Sequence, residues 1–191
     1  MIKQVKLVST RFTNATLKEN RDYRSKKDSP YCIYASPQTM SPKILYDSLL
    51  FVVEMNNDNN QIEGIGLIRN RPYMDKYYKV HQDANYNRYI YKSNYFIERD
   101  TLVRYNTFLV EVLDCILFKG YTHLKRGSGF TTISEKLLRH PTCEDTNIVE
   151  EIRNVFITIF GKTDANEEHE NEEHENEEHE NEEHEKEEEM V

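Results

Sequence analysis

Seven of the chain's 13 tyrosines fall between Arg69 and Tyr95: Tyr73, Tyr77, Tyr78, Tyr86, Tyr89, Tyr91 and Tyr95. Arg69, Arg71, Lys76, Lys79, Arg88 and Lys92 are interleaved with them. Aromatic faces stack on unpaired bases, at roughly 1–3 kcal/mol per base in single-strand binders, while cationic side chains track phosphates. The bland alternative is a sheet whose tyrosines pack inward and whose cations form a solvated face. A second basic cluster, Lys125-Arg126, leads into Gly127-Ser128-Gly129. Such a turn either presents backbone N–H groups and two cations to a phosphate or simply connects a helix to the last strand. It is not a P-loop, because the Gly-x-x-x-x-Gly-Lys-Ser/Thr spacing is missing, and Gly64-x-Gly66 lacks the third glycine of a dinucleotide fingerprint.

Catalytic and metal-binding patterns are sparse. The chain has no Gly-x-Ser-x-Gly and no His-Glu-x-x-His, and nothing places Cys32 with His123 or Cys115 with His140. His81, His123 and His140 show no i,i+4 pairing and no neighbouring ligand cluster. His169, His174, His179 and His184 stand in an acidic repeat where imidazole and carboxylate can hold a transition ion loosely, or where both are simply solvated. The expectation is no enzyme, no cofactor and no metal site. Cys32, Cys115 and Cys143 are odd in number and widely spaced. They predict free thiols and a reducing compartment rather than a disulfide framework.

Charge separates the chain into two unlike pieces. From Asp164 onward there are 16 acidic residues and one lysine, whereas residues 1–163 carry 24 cationic and 18 acidic side chains. The net charge of −9 therefore conceals a basic body and a strongly acidic tail. In the tail, Asn-Glu-Glu-His-Glu occurs four times in register from Asn166 to Glu185. A five-residue period fits neither helix nor strand and leaves nothing apolar to bury, so residues 164–191 are expected to be disordered. No apolar run approaches the roughly 20 residues of a membrane-spanning helix, and the N-terminus lacks a signal-peptide hydrophobic block. A cytoplasmic location without membrane contact is expected.

The elements that must position these residues follow from periodicity. Residues 2–9 alternate as a first strand, and a short helix begins near Thr13. The run from Arg24 to Pro30 reads as polar and exposed. Tyr31–Ala35 is β-prone and ends at Ser36-Pro37. Leu49–Val53 and Ile62–Ile68, joined by Asn56-Asn57-Asp58-Asn59-Asn60, make a hairpin whose return strand carries glycines for close backbone approach. Tyr89–Lys92 and Tyr95–Ile97 are further strands. Apolar residues from Leu102 to Leu117 recur at three- and four-residue spacing behind a Thr101 cap and before Gly120, which predicts one helix. A second helix spans about 144–160, closed by Gly161, and a short one begins at Ser134. These elements predict an α+β fold in which a strongly curved antiparallel sheet or small barrel carries flanking helices.

The centre of the chain resembles the PUA-like superfamily, particularly its EVE and YTH-type branches. The likeness lies in Tyr31-Cys32-Ile33-Tyr34-Ala35, Leu50-Phe51-Val52-Val53, Ile62-Glu63-Gly64-Ile65-Gly66-Leu67-Ile68 and Arg71-Pro72-Tyr73-Met74-Asp75, and it covers about residues 30–135. It implies a small curved β-barrel flanked by helices that binds nucleic acid, in some members through an aromatic pocket for a modified base. No tryptophan is present, so such a pocket would use Tyr or Phe. In composition the chain is similar to proteins of large DNA viruses with AT-rich genomes, which implies a host-cytoplasm or virion location. On this reading residues 1–163 form a non-catalytic nucleic-acid-binding domain for RNA or single-stranded DNA. Arg69, Arg71, Lys76, Arg88, Lys125 and Arg126 contact phosphate; Tyr73, Tyr77, Tyr78 and Tyr89 stack on bases. The acidic tail is a candidate competitor for the same face. The rival expectation is a viral structural or host-interaction module that meets an acidic protein and binds no nucleic acid.

Overall fold

The computed structural model describes residues 5–26, 29–143 and 146–161. The chain divides into two compact units, Met1–Ile152 and Arg153–Val191. In the first, β1 (Lys6–Phe12) leads through Thr13 into α1 (Asn14–Arg24). Thr13 accepts from the Thr16 N–H while the Thr16 hydroxyl accepts from the Thr13 N–H, a reciprocal cap that fixes where the helix starts. There follow β2 (Cys32–Ser36), the hairpin β3 (Leu49–Asn56) and β4 (Gln61–Arg69), then β5 (Tyr89–Ser93) and β6 (Tyr95–Glu98).

The main sheet has the order β6-β4-β3-β1-β7, where β7 is the short Thr131–Thr132. It is open and mixed, not a closed antiparallel barrel: β1 runs parallel to β3, with Lys6 opposite Leu50 and Phe12 opposite Asn56. The reason lies between these strands. The chain leaves β1, crosses through α1 and β2, and re-enters beside β1 in the same direction, as a crossover connection requires. β2 and β5 pair separately as a two-stranded antiparallel ribbon.

Strand alternation distributes the core. Cys32 and Tyr34 of β2 face Val8, Leu50, Val52 and Ile68 of the main sheet, with Leu17 of α1 in the same cluster. Ile33, on the other side of β2, packs with Tyr78, Val80 and Ile90 in a smaller cluster. Gly66 is needed between the layers, because a Cβ there would lie 2.3 Å from the Tyr34 hydroxyl and 3.1 Å from Cys32 Sγ.

The long helix expected before Gly120 is two helices, α2 (Arg99–Tyr105) and α3 (Thr107–Phe118). Asn106 breaks it: its backbone is extended, at φ −158° and ψ 87°, and its side-chain oxygen accepts from the Leu109 N–H. Asparagine competes for backbone partners in this way, which periodicity of apolar residues does not reveal. Both helices lie against β4, where Asp114 of α3 pairs with Arg99 at 2.7 Å and accepts from the Ile62 N–H.

Ser134 caps α4 (Glu135–Leu138). A final helix, α5, runs over 148–161 and opens on Asn147, which accepts from the Glu150 N–H at 3.2 Å. Within the second unit the Phe156 and Phe160 rings are 5.6 Å apart. The expected start of this helix at 144, the boundary at 163/164 and the tail over 164–191 lie outside the described residues. Among the described residues no helix is long and apolar enough to cross a membrane.

Candidate functional site

One end of the hairpin, the C-terminal end of α1 and the β5–β6 corner enclose an open groove of about 1250 Å³. Among the described residues five cations line it, Arg24, Lys26, Arg69, Arg71 and Lys92, and no acidic side chain does. Three tyrosines share its walls: Tyr31, Tyr73 and Tyr95, which are 70%, 36% and 44% exposed.

Each cation is positioned differently. Arg24 leaves the last turn of α1 and forms an ion pair with Glu54 of β3, the two side chains being 10% and 1% exposed. The Tyr34 hydroxyl donates to the same carboxylate oxygen at 3.0 Å, and the Arg24 guanidinium lies 4.6 Å from the Phe96 ring centroid. Burial alone would pull the Arg24 pKa down, but the adjacent Glu54 carboxylate more than reverses this and holds it above its ordinary value. The same burial raises Tyr34 well above the usual phenol range and pushes the Cys32 thiol up to about 12. Cys32 is therefore a neutral packing residue, contacting the Ser93 and Tyr95 carbonyls, and not an activated nucleophile.

Arg69 and Arg71 share Asp47, at 3.5 and 4.0 Å, in pairs that are half exposed and correspondingly weak. Lys92 donates to the Tyr78 hydroxyl at 2.5 Å and sits 4.5 Å from the Tyr73 ring centroid. Burial lowers its pKa, yet the bond to Tyr78 together with the nearby Tyr78, Asp75 and Tyr73 groups outweighs this and raises it, so Lys92 is charged at neutral pH. Among the described residues these five cations face three carboxylates, Glu54 and Asp47 in ion pairs and Asp75 through Tyr78 and Lys92, which leaves the groove positive.

The residues expected from sequence separate into three groups. Arg69, Arg71 and Tyr73 meet in the groove. Lys76, Tyr77 and Arg88 are exposed outside it, with Arg88 bonded to Asn85 at 3.0 Å. Tyr78 corrects an expectation: at 2% exposure its ring fills the smaller core and offers no face to a base. Tyr89 is half-buried against the main core. Lys125 and Arg126 lie at the opposite end of the hairpin, where Lys125 donates to Asn60. β4 runs from Gln61 to Arg69 between these ends, a rise of roughly 27 Å, so the two basic clusters do not form one patch.

Sequence reasoning missed Arg24, Lys26 and Tyr31, and it read Arg24 as exposed. The available signal was Glu54, a carboxylate in the apolar alternation of β3, which demands a buried cationic partner. Cys115 and His140 both reach the Thr142 hydroxyl, at 3.9 and 2.8 Å, but do not bond to each other. Among the described residues no three His, Cys, Asp or Glu side chains gather at a spacing that could hold a metal ion. The tail histidines lie outside those residues. Set against known proteins, the chain matches no family model, no curated protein and no solved structure.

Proposed function

We propose that this protein is a non-catalytic nucleic-acid-binding module that takes RNA or single-stranded DNA in the groove between α1, β4 and the β5–β6 corner. The observation that carries this reading is a groove lined, among the described residues, by five cations, no acid and three exposed tyrosines. Phosphates suit the cations. Unpaired bases suit the tyrosine faces, and duplex DNA would leave those faces idle. Tyr73 is anchored by a backbone bond from its N–H to the Ile90 carbonyl at 2.7 Å, and its ring centroid lies 4.5 Å from the Lys92 ammonium. The resemblance of residues 30–135 to PUA-like domains, read from the sequence alone, implies the same ligand class, although the sheet here is open where those domains close a barrel. A modified-base cage is less well supported, since Tyr31, Tyr73 and Tyr95 stand around an open groove.

The test is fluorescence anisotropy with single-stranded oligonucleotides at several salt concentrations. Each phosphate neutralised contributes about 0.7 to the logarithmic salt slope of a single-strand binder. Replacing both Arg69 and Arg71 with Ala is expected to weaken binding and flatten that slope by about 1.4. Tyr31→Ala is expected to weaken binding at constant slope. Replacing Lys125 and Arg126 reports whether a bound strand reaches the far end of the hairpin. Absence of binding at low salt overturns the proposal and favours an acidic protein as the partner of the basic groove.

A further inference from the structure

We infer that the opposite end of the hairpin holds a separate, compact site for a phosphate monoester or inorganic phosphate, built by Arg11 and the Gly127-Ser128-Gly129 turn. This does not rest on the groove or its ligand.

Gly127 and Gly129 have φ of +102° and +66°, and Ser128 between them is not in the positive-φ region. Alternation in the sign of φ is the backbone pattern by which successive N–H groups can turn to one side as an anion nest. The N–H groups of residues 127, 128 and 129 have no acceptor among the described residues. Glycine is required at both flanks, since L side chains rarely adopt these angles.

Beneath the turn lies Arg11. Its Nε donates to the Leu124 carbonyl at 2.7 Å, its Nη1 to the Gly129 carbonyl at 3.2 Å and its Nη2 to the Thr131 hydroxyl. These acceptors are all neutral, and Arg11 has no carboxylate partner among the described residues. Two of its five N–H groups are left over. A half-buried guanidinium without a counter-ion and with spare donors favours an anion.

Arg11, the turn, Asn57 and His81 line one cavity of about 180 Å³, a size for a phosphate group rather than a strand. The Oδ1 of Asn57 is buried without a donor, while its Nδ2 binds the Lys125 carbonyl. His81 Nδ1 lies 2.9 Å from Glu19 Oε2, which orients the ring and leaves Nε2 as its remaining nitrogen. The acidic groups beside this cavity are engaged elsewhere: Glu19 by that histidine, Asp58 by the Asn14 N–H and Asp83 by the Asn85 N–H.

The test is a titration of the full chain with sodium phosphate to about 10 mM at constant ionic strength, followed through backbone amide resonances. Saturable shifts of the Gly127, Ser128 and Gly129 amides are expected. Ser128→Asp adds a like charge at an exposed position and is expected to reduce affinity at least tenfold while leaving the remaining spectrum and the melting temperature in place. Shifts that do not saturate, that miss these three amides, or that persist in Ser128→Asp overturn the site. Two further arms identify the source. A 5′-phosphorylated oligonucleotide that shifts these amides where its unphosphorylated twin does not assigns the site to a strand terminus. Shifts with inorganic phosphate alone assign it to a small phosphate compound.

Discussion

Glu54 is the residue on which the groove's chemistry depends. A carboxylate that is 1% exposed is tolerated because Arg24 and Tyr34 both bond to it, and removing one partner would strand the other charge at a cost of about 3–5 kcal/mol. The same apolar surroundings keep Cys32 and Tyr34 neutral, which links stability to pH. Cys32 titrates at about 12 in the folded protein but near 8.5 when unfolded. Above that lower value the unfolded chain has released a proton that the native chain still holds, so stability falls as pH rises toward 12. Tyr34 acts in the same direction. Urea unfolding at about pH 8 and about pH 10.5 is expected to show lower stability at the higher pH, and Cys32→Ala to reduce the difference. In the same native protein Cys115, the half-exposed thiol, is expected to react with alkylating reagents before buried Cys32 and Cys143.

At the level of elements, the groove depends on how closely β2 approaches the hairpin. Gly66 sets that distance, since any side chain there meets the Tyr34 hydroxyl and Cys32. Gly66→Ala is expected to destabilise the protein by about 1–3 kcal/mol, read from the denaturant midpoint. Because Tyr34 holds Glu54, and Glu54 holds Arg24, the same change is expected to weaken oligonucleotide binding in whatever fraction remains folded. Asn106 plays a different part: it divides α2 from α3 and also donates to Glu151 at 2.8 Å. The hairpin and α1 were legible in sequence because their signals are local, in alternation, an Asn/Asp-rich turn and a capping threonine. The break at Asn106 was not, because apolar spacing continues across it and only the backbone shows the change.

For the molecule as a whole, the decisive contrast is between a basic body and an acidic tail within one chain. A covalent tether makes their encounter intramolecular, so even weak attraction competes with a free ligand. Oligonucleotide affinity is therefore expected to rise when residues 164–191 are removed, and the rise to shrink as salt is added. Equal affinity with and without the tail at low salt would exclude competition. The amino-acid sequence by itself determined the charge partition, the α+β composition, the central hairpin and the glycines it requires, because each depends on neighbours close along the chain. Tertiary structure alone decided that β1 runs parallel to β3 and that the sheet stays open. It also decided that Tyr78 is core, that Arg24 belongs to the groove, and that Lys125 and Arg126 stand a strand's length away from Arg69. These depend on which surfaces meet after the chain crosses over, and residues far apart in sequence carry no local pattern that records it.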